Sequence, residues 1–178
     1  MQTPEEGKVR VAFAELIDLA AEKVGGKALI ANDEFFAPKE NMLKPGRGVF
    51  IPDKYTEFGK WMDGWETRRK RVPGYDWIVV KLAVPGTVHK VEVDTNHFKG
   101  NFPDMASLEG CFLKEDILDF ANAKDIAWQE ILPRTKLQAH HRHFYEAELK
   151  AAGPFTHVRL NIFPDGGISR LRVHGRPA

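Results

Sequence analysis

A chain of 178 residues, 43% hydrophobic and 29% charged, has room for one domain with a sizeable core and is short for two. Its 26 Lys and Arg against 25 Asp and Glu leave a net charge of +1, without the basic excess that nucleic acid or an anionic membrane demands. The single cysteine, Cys111, excludes an internal disulfide framework and a multi-cysteine metal site, and fits a reducing compartment.

In chain order, the polar start MQTPEEGKVR lacks the apolar core of a secretory signal, and no apolar run reaches membrane-span length. The expectation is a cytoplasmic protein, a single domain over residues 1–178. Phe13 to Val24 carries apolar residues at 13, 16, 17, 20, 21 and 24, the spacing of a helix, with Gly25-Gly26 as its stop. Beyond it the apolar segments shorten, and ALIA (28–31), GVFI (48–51), WIVVKLAV (77–84), VHKVEVD (88–94), SLEGCFL (107–113), AWQEIL (127–132), HVRLNIF (157–163) and SRLRVHG (169–175) read as strands. The last two flank Pro164-Asp165-Gly166-Gly167, a hairpin signal. KEDILDFANAKDI (114–126) is left open between helical turn and loop. In HVRLNIF, Val158, Leu160 and Ile162 alternate with His157, Arg159 and Asn161, so one face is apolar and the other hydrogen-bonding. Many such strands with little helix between them predict an all-β, antiparallel sandwich or jelly roll, with the short N-terminal helix packed outside.

No GxGxxG, GxxxxGK[ST], HExxH or GxSxG occurs, so any chemistry must come from carboxylates, histidines and arginines gathered by the fold. The densest gathering is GKWMDGWETRRKR (59–71), read as a loop feeding a strand because Gly64 interrupts it. One reading is an aromatic wall, Trp61 and Trp65, beside the carboxylates Asp63 and Glu66 and the guanidinium of Arg68, suited to a small anionic ligand. The other is a Trp-anchored corner with surface ion pairs. DEFF (33–36) and DTNHFKGN (94–101) add Asp33, Asp94, His97 and Asn101. His97 suits acid/base work by its near-neutral pKa, while Asp94 and Asn96 equally suit a turn that binds backbone amides. HHRH (140–143) lacks a carboxylate to complete a metal site. Arg159, Asp165 and Arg170 surround the PDGG turn, and Cys111 reads as a packing thiol.

GGKALIANDEFFAPKENML, VFIPDKYTEFGKWMDGWETRRKR, YDWIVVKLAVPG, VEVDTNHFKGNFP, EILPRTKLQAHHRHFYE and THVRLNIFPDGGISRLRVHG, in that order, closely resemble an allantoicase repeat, with a repeat-like core over about residues 25–176. The resemblance implies a galactose-binding-like jelly roll that hydrolyses allantoate to ureidoglycolate and urea, a step in purine breakdown. Allantoate carries a carboxylate and two ureido groups on one carbon. On that premise Glu66, His97 and Asp63 are the expected acid/base groups, and Asp33, Trp61, Trp65, Arg68, Asp94, Asn101, Arg159 and Arg170 the expected binding residues, with Arg68 or Arg159 holding the carboxylate. A divalent ion such as manganese is associated with some bacterial members, though no isolated metal signature stands in this sequence. The competing readings are a non-catalytic sugar- or ligand-binding module and action on ureidoglycolate. Familiar members carry two repeats and this chain resembles one, so the expected assembly is a homodimer or a multiple of dimers, covering apolar surface around Phe35, Phe36, Trp61, Trp65 and Phe98.

Overall fold

Short strands make up nearly all the regular structure, as period-two alternation requires. The computed structural model describes residues 16–178. In chain order the strands are β1 (Ile17–Asp18), β2 (Lys27–Ala31), β3 (Tyr55–Thr56), β4 (Gly59–Lys60), β5 (Trp65–Glu66), β6 (Asp76–Asp94), β7 (Met105–Cys111), β8 (Gln129–Lys136), β9 (Arg142–Tyr145), β10 (Phe155–Phe163), β11 (Gly167–Ile168) and β12 (Arg170–Pro177).

β6 runs 19 residues and serves two layers. Its first half pairs with β2 and β10, and β7 and β8 extend that layer. Its second half pairs with β12 and β9, and β1 flanks β12. Every pairing is antiparallel, and the result is a jelly-roll sandwich. Between the layers Ile78, Val80 and Leu82 meet Val91, Val93, Val158, Leu160, Ile162, Leu171 and Val173, all buried in one core. The alternating segments named from sequence are those strands, and the two read from 77 to 94 fuse into β6 through Pro85-Gly86. Among the described residues no helix is long and apolar enough to cross a membrane.

Three expectations are corrected. The helix over 13–24 is absent from Leu16 onward, and its first three residues lie outside the described ones. β1 and a 3-10 turn at Glu22–Val24 stand there instead. Leu19 is buried, its N–H donates to Val173 O, and its carbonyl accepts from Ala83, so the sheet takes the backbone bonds a helix would need. Gly25 does stop this turn, at φ +114°, a left-handed conformation that costs glycine little. GVFI is not a strand: Gly48 O accepts from Asn96 Nδ2, and Val49 N–H donates to Asp63 Oδ2, so side chains replace a strand partner. The PDGG segment does not make a hairpin either, because β10 and β12 pair with different halves of β6. It crosses between layers and packs on the 97–103 loop, where a Cβ on Gly167 would lie 2.0 Å from the Phe98 ring. The 114–126 segment contains no helix.

Candidate functional site

The loops at one end of the sandwich are laced together by backbone bonds. Thr67 N–H donates to Gly166 O, Gly167 N–H to Asn101 O, and Ser169 N–H to Asp94 O. β5 pairs with β11, and Glu66 exchanges both backbone bonds with Ala37. Next to it, Trp65 is fully buried in the core and its indole donates to Asp33 O at 2.8 Å. Glu66 therefore has no freedom to turn outward. Its side chain is 7% exposed and accepts a 2.7 Å hydrogen bond from Asn101 Nδ2. No cation pairs with it among the described residues. Burial pushes its carboxyl above the usual range, and the Asn101 bond offsets only part of that.

Asn101 lines a cleft of about 390 Å³ with Phe50, Lys60, Met62, His97, Lys99 and Gly100. His97 is held in a left-handed backbone conformation, φ +68°, and its N–H donates to His140 Nδ1 at 2.8 Å. Its ring stacks on Phe50, with centroids 5.6 Å apart. Burial lowers its pKa, and His140, Lys99 and Arg47 lower it further against the opposing pull of Asp94. His97 is consequently a neutral imidazole at neutral pH, able to accept a proton. A carboxyl pushed up behind the cleft wall and an imidazole pushed down on it are displaced in the directions that acid–base pairs use.

Two arginine–carboxylate pairs brace this end, one buried on both sides and one with a buried carboxylate under an exposed arginine. Asp63 receives both terminal nitrogens of Arg170, at 2.9 and 2.8 Å, and the Val49 N–H. Burial would raise the Asp63 carboxyl, but Arg170 and the Val49 amide hold it below the usual range. Arg170 also donates to Gly46 O, Ser169 O and Asp63 O, which pins the loops around it. Asp94, fully buried, takes Arg47 at 2.9 and 3.1 Å and the Asn96 N–H at 3.0 Å, which is the turn geometry anticipated for it.

The nominated residues thus separate by position. His97 and Asn101 line the cleft, Glu66 lies behind Asn101 and bonds to it, and Asp63, Asp94 and Arg170 hold the surrounding loops. Asp33 accepts the Phe35 and Arg68 amides. Arg68 is exposed over the Phe35 ring, and Trp61 lies under Lys54. Arg159 lies elsewhere, on the outer face of β10, paired with Glu109 of β7 at 3.0 Å and set against Trp128. Reading by residue type passed over Lys60, Lys99, Phe50, Met62, Arg47 and His140. Lys60 and Lys99 stood inside the very stretches singled out, and what sets them apart is that the fold places both on the cleft wall. The donors present do not fit a divalent ion: among the described residues no three His, Cys, Asp or Glu come together as a metal site, and Asp63 and Asp94 are committed to arginines.

The family model described as allantoicase repeat matches residues 17–178. A relative named probable allantoicase 1, from Burkholderia mallei, is 53% identical over 161 residues, covering 90% of this chain and 46% of its own length. The crystal structure of allantoicase from Saccharomyces cerevisiae superposes with a TM-score of 0.73 at 36% identity, covering 90% of this chain and 43% of that one. A family 32 carbohydrate-binding module from Clostridium perfringens shares the galactose-binding-like fold alone, with a TM-score of 0.61 at 11% identity, covering 93% of this chain and 98% of that one. The chain spans about half the length of the curated relatives it matches.

Proposed function

The chain belongs to the allantoicase family, and from that premise we propose that it hydrolyses allantoate to ureidoglycolate and urea in purine breakdown. The observation that carries this reading is Glu66, a buried carboxyl without a countercharge, hydrogen-bonded to a residue of the cleft wall. Such a group costs stability and is typical of sites that move protons.

The reaction replaces the bond from the central carbon to one ureido nitrogen with a bond to water oxygen. The departing nitrogen gains a proton and the water loses one. Glu66, pushed toward its protonated form, supplies the first, and neutral His97 takes the second. Asn101 fixes the Glu66 carboxyl through Nδ2, and its Oδ1 remains free to accept a ureido N–H. Asp63, first nominated as an acid/base group, acts here by holding Arg170 and the Val49 loop.

We place the protein in the cytoplasm, where Cys111, buried and pushed up to about 11, stays an inert thiol. Trp65 and Phe98 are core, whereas Phe35, Val49, Phe50, Ile51, Tyr55 and Phe58 expose apolar surface beside the cleft. A second copy covering that surface accounts for the expected homodimer, and light scattering showing a fully active monomer would contradict it.

Purified protein given allantoate should release one urea per ureidoglycolate formed. Binding of allantoate without urea release would indicate a binding module, and glyoxylate formed from ureidoglycolate would move the activity one step on.

A further inference from the structure

Lys60 and Lys99 reach one cleft from separate elements, β4 and the loop after Phe98. Neither has a hydrogen-bond or ion-pair partner among the described residues. Other cations around them are taken up by carboxylates, Arg47 by Asp94, Arg170 by Asp63 and Lys70 by Asp76. Among the described residues no acidic one lines the cleft. Glu66, bonded to Asn101 behind the wall, leans toward its neutral form, and Asp94, the carboxylate that acts on His97, is already paired with Arg47. The cleft wall therefore carries two uncompensated positive charges.

We propose that Lys60 and Lys99 form the carboxylate clamp of this cleft, gripping a small ureido acid by its anionic end. The assignment rests on the hydrolase reading above for the identity of the anion, and it replaces Arg68 and Arg159, which the sequence suggested for that task. Arg159 is neutralised by Glu109, and neither arginine lines the cleft. Two ammonium groups on facing elements suit a carboxylate that must be held while the rest of the ligand turns, because each is a compact charge on a flexible stem. Lys99 lies close enough to His97 to help lower its pKa, after burial and His140 and against the pull of Asp94. With the carboxylate held by the lysines, the carbon bearing it is kept within the cleft that His97 and Asn101 line. The clamp thus selects acids over their neutral amides.

Hydantoate, which has one carboxylate and one ureido group and no second urea to lose, is the probe, and hydantoamide its neutral control. Calorimetry on the full chain should show hydantoate binding to the unmodified protein, weakened at least about tenfold in Lys60→Gln/Lys99→Gln, with hydantoamide weak and indifferent to the substitutions. Both lysines are exposed, so the variant should keep the native circular dichroism and melting temperature. Hydantoate binding equally well to the double variant, or failing to bind the unmodified chain, would overturn the clamp. Lysine-dependent binding without urea release from allantoate would uphold the clamp and discard hydrolysis. Urea release with an unchanged KM in the double variant would do the reverse.

Discussion

Two polar patches of this molecule look alike in sequence and differ in structure. On the outer face of β10 and β7, Arg159 meets Glu109 across the strands, Asn161 Nδ2 bonds both Glu109 and Ser107, and the Trp128 ring lies 4.5 Å from the guanidinium. Cation and carboxylate there neutralise each other, as cross-strand pairs do. At the cleft, among the described residues, the Lys60 and Lys99 side chains have no partner, and Glu66 behind the wall has only a neutral amide. A site that must bind an anion and move a proton cannot be electrostatically complete beforehand. What distinguishes the proposed site from the paired patch is the charge left open.

Removing the brace behind the cleft should have the largest effect. Asp63→Ala strands Arg170, 3% exposed, without its carboxylate, and should cost about 3–5 kcal/mol in chemical denaturation. Glu66→Gln keeps an acceptor for Asn101 and should leave the fold intact while lowering kcat about a hundredfold or more, near 2.7 kcal/mol of barrier. An unchanged rate would make Glu66 an ordinary buried carboxyl and erase the contrast. Arg159→Met, on the paired patch, should lose about 1 kcal/mol of stability and no activity, and a loss of turnover there would move the site. The smallest effect is a sign in pH. Because the folded pKa of Glu66 is raised, its contribution to stability is full below the unfolded value and falls as pH rises through the folded one. Glu66→Gln should therefore gain in denaturation midpoint relative to the unmodified protein as pH rises above the ordinary carboxyl value of 4.5, and a constant difference would contradict the shift.

The strands were legible because alternation in 77–94, 157–163 and 169–175 records directly which side chains face the core. The N-terminal segment was not, since Leu16, Ile17 and Ala20 have helical spacing and only the distant Val173 and Ala83 backbones reveal why it stays extended. The PDGG turn has hairpin chemistry, but its two strands answer to different halves of β6. For the candidate site, residue type and motif were enough to nominate Glu66, His97 and Asn101, which the fold brings to one loop end. They could not show that Trp65 belongs to the core, that Asp63 and Asp94 are held by arginines far away in sequence, or that Arg159 is neutralised on another face. Each of those depends on a partner dozens of residues distant.

The most direct test is where the substrate sits. A Glu66→Gln chain labelled with ¹⁵N and ¹³C should bind allantoate without rapid turnover, and its resonances should report the contact residue by residue. The account expects shifts confined to Lys60 and Met62, to the β5 segment, and to His97 through Asn101. Shifts centred on Ser107, Arg159 and Asn161, with the cleft silent, would contradict it.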